Sequence, residues 1–226
     1  MLILSMDTSG DICSVGVSDG PRELTTFAFR HDRHLSERLP GIVEFVLRDR
    51  GITLADIEAF ATGLGPGSFT GVRVGVTFTK TLAYASRRPL IGVSSLDALA
   101  EGVVALPGLG VAAVAPTRHV EVVAAYYQAG QGTPVAAPAV VRNDTVLAQA
   151  RAALGLAPDA ALLVIGEAAD AVERDSEISA TTGALFRTAA VSASVIGRIA
   201  AGRIARGEFD DVYTLTPLYV TPTPVG

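Results

Sequence analysis

Three strand-like segments crowd the first thirty residues: "LILSM", "CSVGVSDG" and "ELTTFAF". The connections between them are too short for a crossover, so the segments must pair antiparallel as a meander. Turn residues from Ser18 to Arg22 mark the second bend. From Leu35 the apolar period changes. Leu35, Leu39, Ile42, Val43, Val46 and Leu47 recur at helical spacing and define an amphipathic helix, with Gly51 as its C-cap. Pro40 lies inside this pattern, so the helix either starts there or bends there, and the unbroken apolar phase favours a bend. A strand in "IEAFATGLG", a helix over 69–86, a buried strand in "PLIGV" and a helix in "SSLDALAEGVVA" follow, the last capped by Ser94 or Ser95. The resulting order, β-β-β-α-β-α-β-α, is that of an α/β lobe with a mixed sheet.

"LPGLG" at 106–110 is the natural break, giving two lobes, 1–105 and 106–226. Beyond it, "VAAVA" and "VEVVAAYYQA" read as paired strands, "PAVVR" as a third, "TVLAQARAAL" as a helix and "ALLVIG" as a buried strand. An Ala- and Val-rich helix over 189–206 carries Arg198, Arg203 and Arg206 near its C-terminal end, where cations suit the helix dipole. This last helix is free to pack back on lobe one. The second half therefore repeats the first in architecture, without a repeat in sequence.

Composition narrows the function classes. With 49% hydrophobic and 18% charged residues the chain is globular rather than disordered. No run approaches the about 18 apolar residues of a membrane span. The first apolar run has no basic flank and stops at Asp7, so it reads as a strand and not as a signal peptide. The single Cys13 excludes an internal disulfide and fits a reducing cytoplasm. A net charge of −5 argues against strong nucleic-acid binding by this chain alone and leaves room only for a local basic patch.

The loop "GLGPGSFTGVRVG", residues 63–75, opens a helix as phosphate loops do. It satisfies neither G-x-x-x-x-G-K-[ST] nor G-x-G-x-x-G, and Lys80 lies too far along to reach a phosphate from it. It reads as a tight turn built by Gly65, Pro66 and Gly67, with Ser68 or Thr70 as helix cap, and a residual anion site as the alternative. Asp7-Thr8-Ser9-Gly10 ends the first strand, where actin-like ATPases meet phosphate and metal. An Asx turn accounts for it equally well, and no second such carboxylate supports an aspartic protease. Together Asp7, Thr8, Ser9, Gly65, Gly67 and Ser68 are the positions of a degenerate phosphate site. His31 and His34, with Asp32 between them, make only part of a zinc set and fit a polar helix entry. His119 lies in a strand-like run and serves no serine triad, and Cys13 reads as core. No catalytic residue and no metal site is expected.

"LILSMDTSGDICSVGV", "HLSERLPGIVEFVL", "LADIEAFATGLGPGSFTGVRVGVTFTKTLA" and "PLIGVSSLDALA" closely resemble the TsaB (YeaZ) family. The string from Gly65 to Gly75 is the most specific part. The likeness is close to about residue 105 and loose beyond, apart from a closing "PLYV". It implies an actin-like (ASKHA, ribonuclease H-like) two-lobed fold and a cytoplasmic accessory subunit for threonylcarbamoylation of tRNA adenosine. A TsaD-type catalytic relative would form a heterodimer with it, a TsaE-type ATPase would join them, and the chain alone would form a homodimer. tRNA would be met only through the complex. The relative holds its metal through H-x-x-x-H. Here His34 is followed by Arg38, so the pair is absent. The likeness also implies no cofactor on the isolated chain, leaving a subunit interface as the place for ADP or ATP, and no peptidase activity.

Gly71, Gly75 and Thr79 form a strip of small residues four apart on one helix face. With Val72, and with Leu39, Val43 and Val46 of the preceding helix, they are the expected partner-binding faces, since the family is thought to bundle these helices with its relative. Where the family usually carries Asp-Ala-Arg at the opening of lobe two, this chain has "VAPTRHVEV", with Ala115 and Pro116 and with Arg118 displaced. A stand-alone actin-like ATPase or phosphotransferase is the competing reading, and a metallopeptidase would need bound zinc.

Overall fold

The computed structural model describes residues 1–30, 34–103, 108–117, 120–176 and 183–220. The first sheet is built from β1 (Leu2–Asp7), β2 (Ile12–Asp19), β3 (Arg22–Arg30), β4 (Ala59–Gly63) and β5 (Leu90–Val93) in the order β3-β2-β1-β4-β5. The β1–β2 and β2–β3 pairs are antiparallel, as the short turns require, and β1–β4 and β4–β5 are parallel. The parallel pairs are joined through α1 (Leu35–Asp49) and α2 (Phe69–Ser86).

Alternation along β2 sorts the two faces of this sheet. Cys13, Val15 and Val17 join Leu4 and Met6 in the core beneath α1, with Leu35, Leu39, Val43, Val46 and Leu47 above them. Ser14 and Ser18 face the other way, toward α6 (Ala193–Ala205), together with Ser5. The short side chains on both sides let α6 lie close to the sheet: Gly197 sits over Ser5 and Ser18, and Ser14 Oγ receives the Ala193 amide at 2.8 Å.

The second sheet repeats this topology. β6 (Gly110–Pro116), β7 (Glu121–Gln128), β8 (Ala139–Arg142), β9 (Leu162–Ile165) and β10 (Ala184–Arg187) lie in the order β10-β9-β6-β7-β8. The β6–β7 and β7–β8 pairs are antiparallel and the β6–β9 and β9–β10 pairs parallel. Two such mixed sheets with flanking helices make an actin-like fold. α3 (Ser95–Glu101) leads into this half, and α4 (Val146–Leu154) and α5 (Ala169–Asp175) flank its sheet. The sequence reading did not anticipate α5 or β10. β10 has only four residues, Leu185 on it is 61% exposed, and so it lacks the apolar run of a central strand.

Contacts divide the chain differently from a break at 105/106. One unit is Met1–Ser95 with Val191–Leu218, and the other is built on Leu96–Ala190. The physical reason is α6, whose buried Ala193, Ile196, Ala200 and Ala201 cover the first sheet. α6 is shorter than the expected 189–206 because Ser192 caps it, its hydroxyl accepting from the Ser194 amide at 3.3 Å. α1 runs helical through Pro40 without interruption.

Candidate functional site

The ends of β1 and β4, the glycine loop and the start of α3 converge on Asp7. Its side chain is 1% exposed. Oδ1 accepts from the Ser9 amide at 2.9 Å and the Ser9 hydroxyl at 2.7 Å, and Oδ2 accepts from the Ser95 hydroxyl at 2.6 Å. Ser95 Oγ in turn accepts the Gly65 amide at 3.1 Å, and the Ser68 amide donates to the Ser9 carbonyl at 2.6 Å. Ser68 is also the helix cap, its Oγ accepting from the Gly71 amide at 3.2 Å. The amides of Ser9, Gly65 and Ser68, which a phosphate would need, are thus spent within the protein. A Cβ at Gly67 would collide with the Ser9 carbonyl, which shows how closely the two loops are pressed together. These residues do not fit a nucleotide phosphate. Asp7, Thr8, Ser9, Gly65, Gly67 and Ser68 are indeed brought together, but as a closed hydrogen-bonded knot.

Ser95 completes the knot, and the sequence reading had it only as a candidate helix cap. α3 starts at Ser95 itself, which leaves Ser94 in the preceding position. No spacing signal joins residues 88 apart, so only the fold reveals the contact between Ser95 and Asp7.

The strip of small residues on α2 requires a correction. Gly71, Val72, Gly75 and Thr79 are all buried, and so are Leu39, Val43 and Val46 on α1. Gly71, Val72, Gly75 and Thr79 are closed in, whereas Leu39 and Val43, though buried, also line open cavities between α1 and α2. The Thr8 hydroxyl donates to the Gly71 carbonyl at 2.7 Å, and a Cβ on Gly75 would strike the Thr8 side chain. Two helix glycines, each costing roughly 0.5–1 kcal/mol against alanine, are explained by this approach of α2 to the β1–β2 loop. The interior of the protein's own sheet, not a partner, covers them.

What α1 and α2 do present outward is different. Between them, on either side of Phe78, lie two open cavities of about 600 and 390 Å³. The larger is lined by Pro40, Val43, Leu47, Ile52 and Leu82 among others, and the smaller by Ser36, Leu39, Arg73, Val74, Thr77 and Thr81. Phe45 and Phe69 stand 52% and 56% exposed on these helices, with the Arg73 guanidinium 3.6 Å from the Phe69 ring centre.

Histidine chemistry finds no support in the described residues. His34 precedes α1 with its Nδ1 3.4 Å from a Glu37 carboxylate oxygen, and Arg38 lies over the Phe29 ring at 5.8 Å. His31, Asp32, Arg33, Arg118 and His119 lie outside the described residues. Among the described residues no group of three or more His, Cys, Asp and Glu side chains is placed to hold a metal ion, and no helix is long and apolar enough to cross a membrane.

Comparison with known proteins identifies the family. The family model for TsaD, tRNA N6-adenosine threonylcarbamoyltransferase, matches residues 30–201. The tRNA threonylcarbamoyladenosine biosynthesis protein TsaB of Escherichia coli K12 is 40% identical over 102 residues, 45% of this chain and 44% of that protein. A tRNA N6-adenosine threonylcarbamoyltransferase of Sphingopyxis alaskensis is 51% identical over 61 residues, 27% of this chain and 18% of that protein. The chain thus spans less than half the length of these relatives. A crystal structure from Pseudomonas aeruginosa, described as an uncharacterized protein with similarity to peptidase YeaZ, is 29% identical and superposes with a TM-score of 0.82, covering 97% of this chain and 99% of that one. The chain belongs to the TsaD family and, within it, to the TsaB (YeaZ) group.

Proposed function

We propose that this protein is a non-catalytic, cytoplasmic subunit of the machinery that makes threonylcarbamoyladenosine in tRNA. In this reading it supports a TsaD-type transferase as a heterodimer, is joined by a TsaE-type ATPase, pairs with itself when alone and meets tRNA through the complex. The isolated chain holds no cofactor, and ADP or ATP belongs at a subunit interface. The observation that carries the non-catalytic reading is the closed knot at Asp7, where carboxylate and loop amides are committed to each other. Such a centre holds its own loops together, and this commitment supports a structural role over one in polarising a phosphate or positioning a metal. With the small-residue strip turned inward, docking falls to the outer face of α1 and α2, whose cavities beside Phe78 suit the apolar anchors of a partner helix.

Co-purification with the TsaD-type protein of the same organism tests this reading. Thr77 is exposed on the rim of the smaller cavity. Arginine is a better helix former than threonine, so Thr77→Arg should leave the monomer folded. Association should weaken by about 2 kcal/mol, roughly thirtyfold. A wild-type chain that fails to capture the transferase, or a variant that captures it normally, overturns the proposed docking face.

A further inference from the structure

The C-terminal end of α2 combines an unusual backbone conformation with exposed cations and rings. Arg87 ends the helix at φ +53°, the left-handed conformation in which glycine is the usual residue. An arginine kept at a position suited to glycine invites a reason in its side chain. Arg88 follows, and both are exposed. One turn earlier stands Tyr84, 60% exposed, edge-on to Tyr213 at 5.8 Å between ring centres, and Tyr213 is 74% exposed. The two rings and Lys80 border a cavity of about 330 Å³ between α2 and the segment that follows α6.

The local charge is positive despite the net charge of −5 on the chain. Lys80 Nζ donates to the Leu215 carbonyl at 2.7 Å, a neutral partner that leaves its charge uncompensated. Of the acids of the neighbouring segment, Asp210 and Glu208 pair with Arg203. Asp211, whose Oδ1 accepts from the Tyr213 and Thr214 amides at 2.6 and 3.0 Å, keeps its charge and is outnumbered by Lys80, Arg87 and Arg88. Lys80 borders the cavity beside the two solvent-facing rings, and Arg87 and Arg88 follow Tyr84 by three and four residues, a grouping of cations and rings that suits phosphates and unstacked bases.

We propose that this patch, built from Lys80, Tyr84, Arg87, Arg88 and Tyr213, is a contact site for single-stranded RNA. It rests on the tRNA-modification reading and adds to it a direct, weak contact made by this chain. Tyr84 lies about 22 Å along the helix from Phe69, so the patch occupies the other end of α2. Charge complementarity selects the occupant: a polyanion with exposed bases uses both the cations and the rings.

Fluorescence anisotropy with a labelled oligouridylate of about twelve nucleotides at low salt tests the site with the full chain. Wild type should bind in a salt-sensitive manner. Tyr213→Ala should weaken binding about fivefold or more. Arg87→Gly should weaken it about threefold and reduce the salt slope by about 0.7, one phosphate contact, while the thermal midpoint stays level or rises. Arg22→Ala, the same change in net charge at an exposed residue of β3, should leave binding unchanged. No binding by wild type, equal effects of Arg87→Gly and Arg22→Ala, or an Arg87→Gly effect on transferase capture instead of RNA, would each overturn the site. RNA binding that persists in a chain unable to capture the transferase would count against the complex reading and not against this site.

Discussion

Asp7 stands at a strand end with its carboxylate turned to the protein's own donors. A carboxylate that serves a metal or a phosphate must leave lone pairs facing the ligand. Here three donors from Ser9 and Ser95 occupy it inside the protein. Its removal should therefore be felt in stability. Asp7→Ala strands the Ser9 amide, the Ser9 hydroxyl and the Ser95 hydroxyl in a dry site, and each loss of a buried partner costs about 1–3 kcal/mol. We expect urea denaturation to show a loss of about 3 kcal/mol or more, while ATP turnover stays at background in both wild type and variant. ATP turnover that survives purification and disappears in the variant would contradict the non-catalytic reading. The sequence already placed Asp7 at a strand end beside a glycine loop. It could not show that the serine closing the site lies 88 residues away, because hydrogen-bond partners across a fold leave no spacing pattern.

At the scale of the element, α2 has two faces with opposite sensitivities. Its periodicity was legible: apolar and small residues recur at helical spacing, and Ser68, one of the two caps the sequence offers, caps the start. What covers each face was not legible, because a strip of small residues fits a partner helix as well as it fits the protein's own loop. The β1–β2 turn decides between them by pushing Thr8 against Gly71 and Gly75. Gly75→Ala gives the sharpest test of that contact. On an exposed helix the change would stabilise by roughly 0.5–1 kcal/mol. Here the added methyl meets the Thr8 side chain, and overpacking of this kind costs about 1–3 kcal/mol. A lower melting temperature, with partner capture intact in the folded fraction, is the expected outcome. A stabilised Gly75→Ala variant would mean that the strip is not tightly covered. Two residues along, Thr77→Arg should do the reverse, sparing stability and weakening association.

At the scale of the molecule, the two sheets share one topology, and the sequence announced this through two meanders followed by helices. β10 escaped notice because four half-exposed residues carry no periodic signal. The unit boundary was legible in part: the sequence left the last helix free to pack back on lobe one, but did not mark the points at which the chain leaves the first unit, at Ser95, and returns to it, at Val191. That return makes a strong prediction about fragments. A piece ending at residue 105 contains all five strands of the first sheet but lacks α6. The sheet face bearing Ser5, Ser14 and Ser18 would then stand open to water. Ile196 alone, fully buried, contributes about 1.5–3 kcal/mol, and Ala193 and Ala200 are equally buried beside it. Losses of that size approach the whole stability of a small unit. Residues 1–105 should therefore give a poorly dispersed proton NMR spectrum and no cooperative urea transition. Residues 1–95 joined to 191–218 through a flexible Gly/Ser linker should restore both. A cooperative, well-dispersed 1–105 fragment would show that the first sheet folds without α6, and the contact-based unit would then be a matter of packing alone.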